Sequence, residues 1–400
     1  RGVILLDELP EAPTLVKTCV TGDTKISDIG KRIDEVVLGQ DVLCIDGFKH
    51  QITDISKINY VGNLISIRAY GLLPIKTTQE HRIFYVNRRY IAGKPKFSQP
   101  MEKLACEITK NDLLLIPKIK QRIQTDRLFV KGKVKNNRVI LFNEEVAELF
   151  GLFVAEGSAN MNLRFGLGTH EKELINRVKY LIENNIGGKV KIVESKVDGG
   201  TTVVTGGYNF ANYMRSIFGD RAKTKRIPDF ILYGEDKILK SFLIGYFKGD
   251  GCFYKRKNRI VITTRSEVLA QQVQLAMARF GVFLFLTKAW RDGGFIKGRK
   301  LKGGYSFTLS SSEKKVVEFF GFKYDNKRPT SFYWDIGDYI AVKVWKVEET
   351  PYMGYVYNLE TGGSSYLVSN AIIHNSAYRL VLDREIEEYS VPDGWFIIAA

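Results

Sequence analysis

Two acids occupy matching places in this chain. Glu156 closes the stretch ELFGLFVAE and Asp250 closes SFLIGYFKGD, each followed by a glycine, Gly157 and Gly251. Both stretches carry small residues four apart, Gly151 with Ala155 and Gly245 with Gly249, a spacing that lets two helix backbones approach closely. A carboxylate in the last turn of a helix lies at the wrong end of the dipole, at a cost of roughly 0.3–1 kcal/mol, and two such acids brought together repel. A divalent metal with hard oxygen ligands, Mg²⁺ above all, would relieve both. The glycine after each acid suits a left-handed helix cap. The four cysteines, Cys19, Cys44, Cys106 and Cys252, form no C-x-x-C pair and no zinc spacing, so any thiol chemistry rests on one cysteine acting alone. At the far end, IIHNSAYR runs an apolar pair into His374, Asn375 and Ser376, where the text turns acidic.

These residues need more than one domain to position them, and 400 residues are enough for two or three. The net charge of +16 divides unevenly: residues 1–18 and 376–400 are acidic, and the text between them carries all of the excess. Basic side chains crowd residues 251–310, with Phe, Tyr and Trp interleaved. That density fits a polyanion, most simply nucleic acid, and it also fits a solvated basic face. The longest apolar runs, such as SFLIGYF, fall far short of the roughly 20 residues that span a bilayer, and no basic-then-apolar leader opens the chain. The expectation is a cytoplasmic protein without membrane contact.

The two ends read as one element. GVILLDELPEAP looks like a buried parallel strand with Asp7 and Glu8 at its tip. With residues 19–375 lifted out, Thr18 meets Ser376, and the joined text resembles the Walker B strand, following helix and next core strand of a MoxR-like AAA+ ATPase. The chain has no G-x-x-x-x-G-K-[ST] loop, so it is not itself a complete ATPase.

The insert opens on Cys19 in CVTGDT, holds Thr78 and His81 in T-x-x-H spacing, and closes on His374 and Asn375 before Ser376. These blocks resemble those of an intein, and the resemblance implies a catalytic set whose residue types each suit a step. The Cys19 thiol would convert the Thr18–Cys19 amide to a thioester. Thr78 and His81 would twist or protonate the scissile nitrogen and stabilise the oxyanion. The Ser376 hydroxyl would then take the acyl group. Asn375 would cyclise to a succinimide and cut its own peptide bond, with His374 transferring protons, and an oxygen-to-nitrogen shift would leave a Thr18–Ser376 peptide. No cofactor is implied for splicing. The block VYNLETGGSSYLVSN departs from the family pattern, with Asn358 where many inteins carry aspartate and serines where histidine is common; these positions stay outside the catalytic set.

Residues 19–118 and 336–375 are rich in short alternating Val, Ile and Tyr stretches, and both read as β. Between them lies a duplication: ELFGLFVAEGS, RFGLGTHEKELINRVKYLI and IFGDRAKTKRIPDF recur as SFLIGYFKGDGC, RIVITTRSEVLAQQVQLAM and FFGFKYDNKRP. The paired acid-ended helices resemble those of LAGLIDADG homing endonucleases. That resemblance implies metal-assisted phosphodiester hydrolysis, with Glu156 and Asp250 as Mg²⁺ ligands and Lys225 and Lys327 beside the metals.

The resulting expectation is a multidomain chain, an all-β Hint splicing domain interrupted by an α+β pseudo-twofold LAGLIDADG endonuclease domain, with short host flanks. The boundaries are 1–18 for the N-terminal host segment, 19–118 and 336–375 for the Hint domain, 119–139 for a basic linker, 140–335 for the endonuclease, and 376–400 for the C-terminal host segment. The expected functions are excision of residues 19–375 with joining of Thr18 to Ser376, and double-strand cleavage of the host gene lacking the insert. Expected partners are double-stranded DNA, bound by a monomeric endonuclease, and the AAA+ host segments in cis. The alternative keeps splicing and reduces the nuclease to inactive DNA binding.

Overall fold

The structure, a computed structural model, describes residues 3–5, 18–132, 137–194, 200–296, 299–300, 302–324, 332–375, 380–382, 385–387 and 396–398. The chain divides into two compact units. The first comprises residues 1–70, 74–117 and 341–400, and the second residues 71–73 and 118–340.

The first unit is built on β-strands. Its frame is two long strands, Lys49–Ala69 and Tyr339–Thr361, paired antiparallel from Val344 opposite Ala69 to Thr361 opposite Ile52. Alternating Ile and Val side chains supply the buried face, among them Ile65, Ile67, Val344 and Val356. Shorter strands complete the sheet, including Val20–Thr21, Ile75–Thr78, Arg82–Val86, Met101–Leu104, Ser365–Val368 and Ala371–His374. At the chain ends, Val3–Leu5 pairs in parallel with Phe396–Ile398. Asp7, Glu8 and Ser376 lie outside the described residues.

The second unit is α+β and repeats itself. One antiparallel sheet has the strand order Gly157–Ala159, Leu163–Gly168, Gly200–Thr205, Val190–Glu194; the other has Gly251–Tyr254, Arg259–Thr264, Gly304–Ser311, Phe285–Arg291. The order of connection is the same in both, as the sequence duplication requires. Each copy starts with a motif helix, Glu144–Glu156 and Asp236–Asp250. Asn143 caps the first, its Oδ1 accepting from Val146 N at 2.9 Å.

The two motif helices pack backbone to backbone. A Cβ on Gly245 would lie 2.2 Å from Glu148 O, and one on Gly151 would lie 2.1 Å from Phe242 O. Gly245→Val should therefore destabilise the unit by about 1–3 kcal/mol through overpacking, to be read as a lower denaturant midpoint; an unchanged midpoint would contradict this packing.

Two expectations change. Gly157 and Gly251 are not left-handed caps: their φ/ψ values of −88°/145° and −92°/152° are extended, because each helix runs directly into a strand. What requires glycine is space, since a Cβ would meet Phe153 Cδ2 at 2.1 Å or Phe247 Cδ2 at 2.2 Å. The segment expected as a linker, 119–139, contributes Arg127–Val130 to a hairpin whose second strand, Arg138–Leu141, runs past its end. The hairpin's buried Leu128, Val130 and Ile140 alternate with outward-facing Phe129, Val139 and Leu141, a strand period that the basic residues around it concealed. Among the described residues no helix is long and apolar enough to cross a membrane.

Candidate active sites

In the first unit, Val20 sits between two strands, opposite Tyr357 on one side and Thr77 on the other. This fixes the peptide of Cys19. Cys19 N donates to Thr78 Oγ1 at 2.9 Å, Thr78 N donates to Cys19 O at 2.9 Å, and Thr78 Oγ1 donates to the same oxygen at 3.3 Å. The carbonyl of Cys19 is therefore held by two donors, and its amide by one acceptor. The Cys19 side chain is buried.

His81 N donates to Thr78 O at 3.3 Å, which carries its ring inward, where it is fully buried. Neither ring nitrogen has a partner at hydrogen-bonding geometry. Burial drives its pKa down to about 3, the charge of His374 adds to the fall, and main-chain groups of His374, Cys19 and Thr18 oppose it. His81 is thus a neutral imidazole facing the main chain of Thr18, Cys19 and His374.

Asn375 is buried, with its N donating to Ser364 O at 3.2 Å and its Nδ2 to Thr361 O at 3.0 Å. His374 lies with Nε2 3.6 Å from Glu102 Oε1. Cys19, Thr78, His81, His374 and Asn375 accordingly belong to one sheet-based cluster. Ser376 is outside the described residues.

Sequence reasoning missed Tyr366. Its buried hydroxyl donates to Asn358 Oδ1 at 3.1 Å, and the register of Val20 with Tyr357 brings Asn358 across from Cys19. Burial lifts the Tyr366 pKa well above the usual range, and the Cys19 thiol adds to that lift. An aromatic in the apolar strand SYLV reads as core, so local pattern gives no signal that its hydroxyl reaches Asn358. The other buried thiol is held differently: Cys44 Sγ donates to Ser365 O at 2.9 Å, and burial pushes its pKa up to about 11, which keeps it a thiol.

In the second unit, Glu156 and Asp250 end the two closely packed helices. Burial raises the pKa of Asp250 to about 7, with the charge of Glu156 adding to the rise and the Tyr246 hydroxyl and Lys225 opposing it. Glu156 is raised by burial and then by Glu171. The Glu156 charge thus acts on Asp250, whereas the neighbour that acts on Glu156 is Glu171.

Lys225 is buried, and its Nζ donates to Phe153 O at 3.0 Å and Gly157 O at 2.9 Å. It occupies the carbonyl end of the first motif helix, a favourable place for a cation. Burial lowers its pKa to about 8, against the pull of Asp250. Lys327 lies outside the described residues.

The donor set fits a hard divalent cation. It is oxygen-only, and the buried Tyr246 hydroxyl lies one turn before Asp250. Two carboxylates suffice for Mg²⁺, which keeps several waters. Among the described residues no group of three or more His, Cys, Asp or Glu side chains is arranged to hold a metal.

Comparison with known proteins bears on the second unit directly. Residues 143–217 and 237–295 match the family model of the LAGLIDADG-like domain. Over 98% of its length the chain is 25% identical to the ATP-dependent DNA helicase Hel308 of Thermococcus kodakarensis, covering 39% of that protein. Over 91% of its length it is 25% identical to a DNA polymerase of the same organism, covering 22%. The chain spans between 32% and 50% of the length of the first curated relatives it matches. Among solved structures, the homing endonuclease I-DmoI in complex with DNA and Ca is 15% identical, with a TM-score of 0.31, over 44% of this chain and 86% of that one.

Proposed function

We propose that this chain is a self-splicing element, residues 19–375, that carries a metal-dependent, site-specific DNA endonuclease between two segments of a host protein. The observation that carries the splicing reading is the cluster of Cys19, Thr78, His81, His374 and Asn375, drawn from opposite ends of the insert. The matches support it too. One and the same stretch aligns within a helicase and within a DNA polymerase, two proteins of different activity, as an inserted element would. The host flanks read as AAA+ text, and their first and last strands pair in parallel.

In this mechanism Thr78 and the buried His81 hold the first junction while the Cys19 sulfur attacks the Thr18 carbonyl, so that a C–S bond replaces the C–N bond. A neutral His81 acts by hydrogen bonding and proton relay, because its charged form is strongly disfavoured where it sits. The Ser376 hydroxyl displaces the thiol, and Asn375 then closes its ring and releases the branch.

The LAGLIDADG-like match supports the nuclease half. Glu156 and Asp250 would hold Mg²⁺, which when bound supplies activated water and stabilises the leaving oxygen. Lys225 fixes the helix end that presents Glu156. Basic and aromatic side chains on the second sheet, including Lys288 with its Nζ 4.5 Å from the Tyr305 ring centre, suit contact with double-stranded DNA. The endonuclease acts as a monomer because the duplication supplies both halves, and the protein is cytoplasmic.

The chain should be expressed with tagged flanks and its products weighed by intact-mass spectrometry. Ligated flanks and a free insert ending in succinimide or Asn are expected, and Asn375→Ala should abolish ligation. Persistence of uncut precursor across temperature and pH would defeat the splicing reading.

A further inference from the structure

Three adjacent strands bring a carboxylate to the histidine beside the second junction. Arg82–Val86 is the middle strand, with Ile83 opposite Ile373 on one side and Phe84 opposite Glu102 on the other. Side chains alternate between faces, so Ile83 and Ile373 share one face while Arg82, Phe84, His374 and Glu102 share the other. The contacts agree with this register. Glu102 Oε1 lies 3.6 Å from His374 Nε2, Glu102 Oε2 accepts from Arg82 NH1 at 3.3 Å, and the Phe84 and His374 ring centres are 5.9 Å apart. Among the described residues, the charged or titratable groups that the register and contacts bring to His374 include Glu102, Arg82 and the buried His81.

We propose that Glu102 is the positioning residue for the Asn375 step, holding His374 by Nε2 so that Nδ1 serves the Asn375–Ser376 peptide. This deepens the splicing reading and rests on it. With Nε2–H aimed at the carboxylate, Nδ1 takes a proton from Asn375 Nδ2 as that nitrogen bonds to the Asn375 carbonyl carbon. The C–N bond to residue 376 then breaks, and Nδ1–H returns the proton to the leaving amine. One proton leaves one nitrogen and arrives at another, and no further reactant is needed. Glu102 stabilises the imidazolium formed between the two transfers, the part an acid plays behind a catalytic histidine. It would fill the role left open where the sequence has Asn358 and serines in place of the residues common in inteins.

The test separates the two junctions in the full chain with tagged flanks. Trapping with hydroxylamine reports the Thr18 thioester, and release of the C-terminal flank reports the Asn375 step, each followed across pH. Glu102→Gln should leave the trapped thioester at the wild-type rate, slow C-terminal release about tenfold, and move the acid limb of that release down by about half a pH unit. Glu102→Asp should recover part of the rate. Arg82→Gln should move the limb the other way, because Glu102 would no longer share its charge. If wild type reacts at both junctions and Glu102→Gln matches it in rate and limb, the inference is wrong. If Glu102→Gln slows both junctions equally, Glu102 is a structural residue and the inference is wrong. If wild type reacts at neither junction, the splicing reading itself falls.

Discussion

Asp250→Asn is expected to abolish DNA strand cleavage, by about a thousandfold or more, while making the protein more stable at pH 8. The two effects share a cause. In the folded chain Asp250 keeps its proton up to about pH 7, because burial and the charge of Glu156 disfavour the carboxylate. A carboxyl whose pKa rises on folding contributes stability that is complete below its unfolded pKa and is lost as pH climbs through the folded value. Above pH 7 the carboxylate is charged and strained against its neighbour. Asparagine removes that charge, so the variant should gain on the order of 4 kcal/mol at pH 8 and well under about 1 kcal/mol at pH 4. Urea denaturation at the two pH values measures this. Mg²⁺ should raise the midpoint of the wild type at pH 8 and leave Asp250→Asn unmoved. Cleavage is read on a plasmid bearing the host sequence without the insert, with DNA binding as the control for folding. A variant that binds and still cuts would remove the acid pair from the mechanism.

His81→Ala should slow thioester formation at Cys19 by about a hundredfold to ten-thousandfold, as measured by hydroxylamine trapping. In the wild type the pH profile of this step should show no limb near 6.5, since burial keeps His81 neutral down to about pH 3. The same shift has a stability consequence of opposite sense. The unfolded chain takes up a proton on this histidine below about pH 6.5 and the folded chain does not, so stability falls on acidification by on the order of 1 kcal/mol per pH unit. His81→Ala should lose part of that acid sensitivity. A limb near 6.5 in the wild-type profile would show that a different histidine governs the step.

The parts legible in the sequence were those written locally or twice. The paired helices announced themselves through Gly151, Gly245 and the acids that close them, because close helix contact admits only small residues at those places. The T-x-x-H spacing singled out Thr78 and His81, which the fold places beside Cys19. Other residues act across strands far apart in sequence. Glu102 reads as one exposed acid on an edge of alternating text, and only the register with Phe84 brings it to His374. Tyr246 reads as core, and its hydroxyl acquires meaning only because Asp250 lies one turn later at a crowded helix end. The glycine caps were misjudged because a helix that feeds directly into a strand needs an extended residue there. Conformation at such a place is set by the next element of the chain, which composition does not reveal.

Under the proposed splicing reading, the parallel pairing of Val3–Leu5 with Phe396–Ile398 bears on how a host would tolerate so large an interruption. Lengthening a flexible connection about tenfold costs roughly 2 kcal/mol of loop-closure entropy, enough to weaken a marginal strand pair. An insert that folds with its two ends together short-circuits that loop. His81 faces the main chain of Thr18, Cys19 and His374, which brings the two ends of residues 19–375 to one side chain. Excision would then shorten a connection that the folded insert already closes, so the host strands would not bear the entropic cost of the full loop.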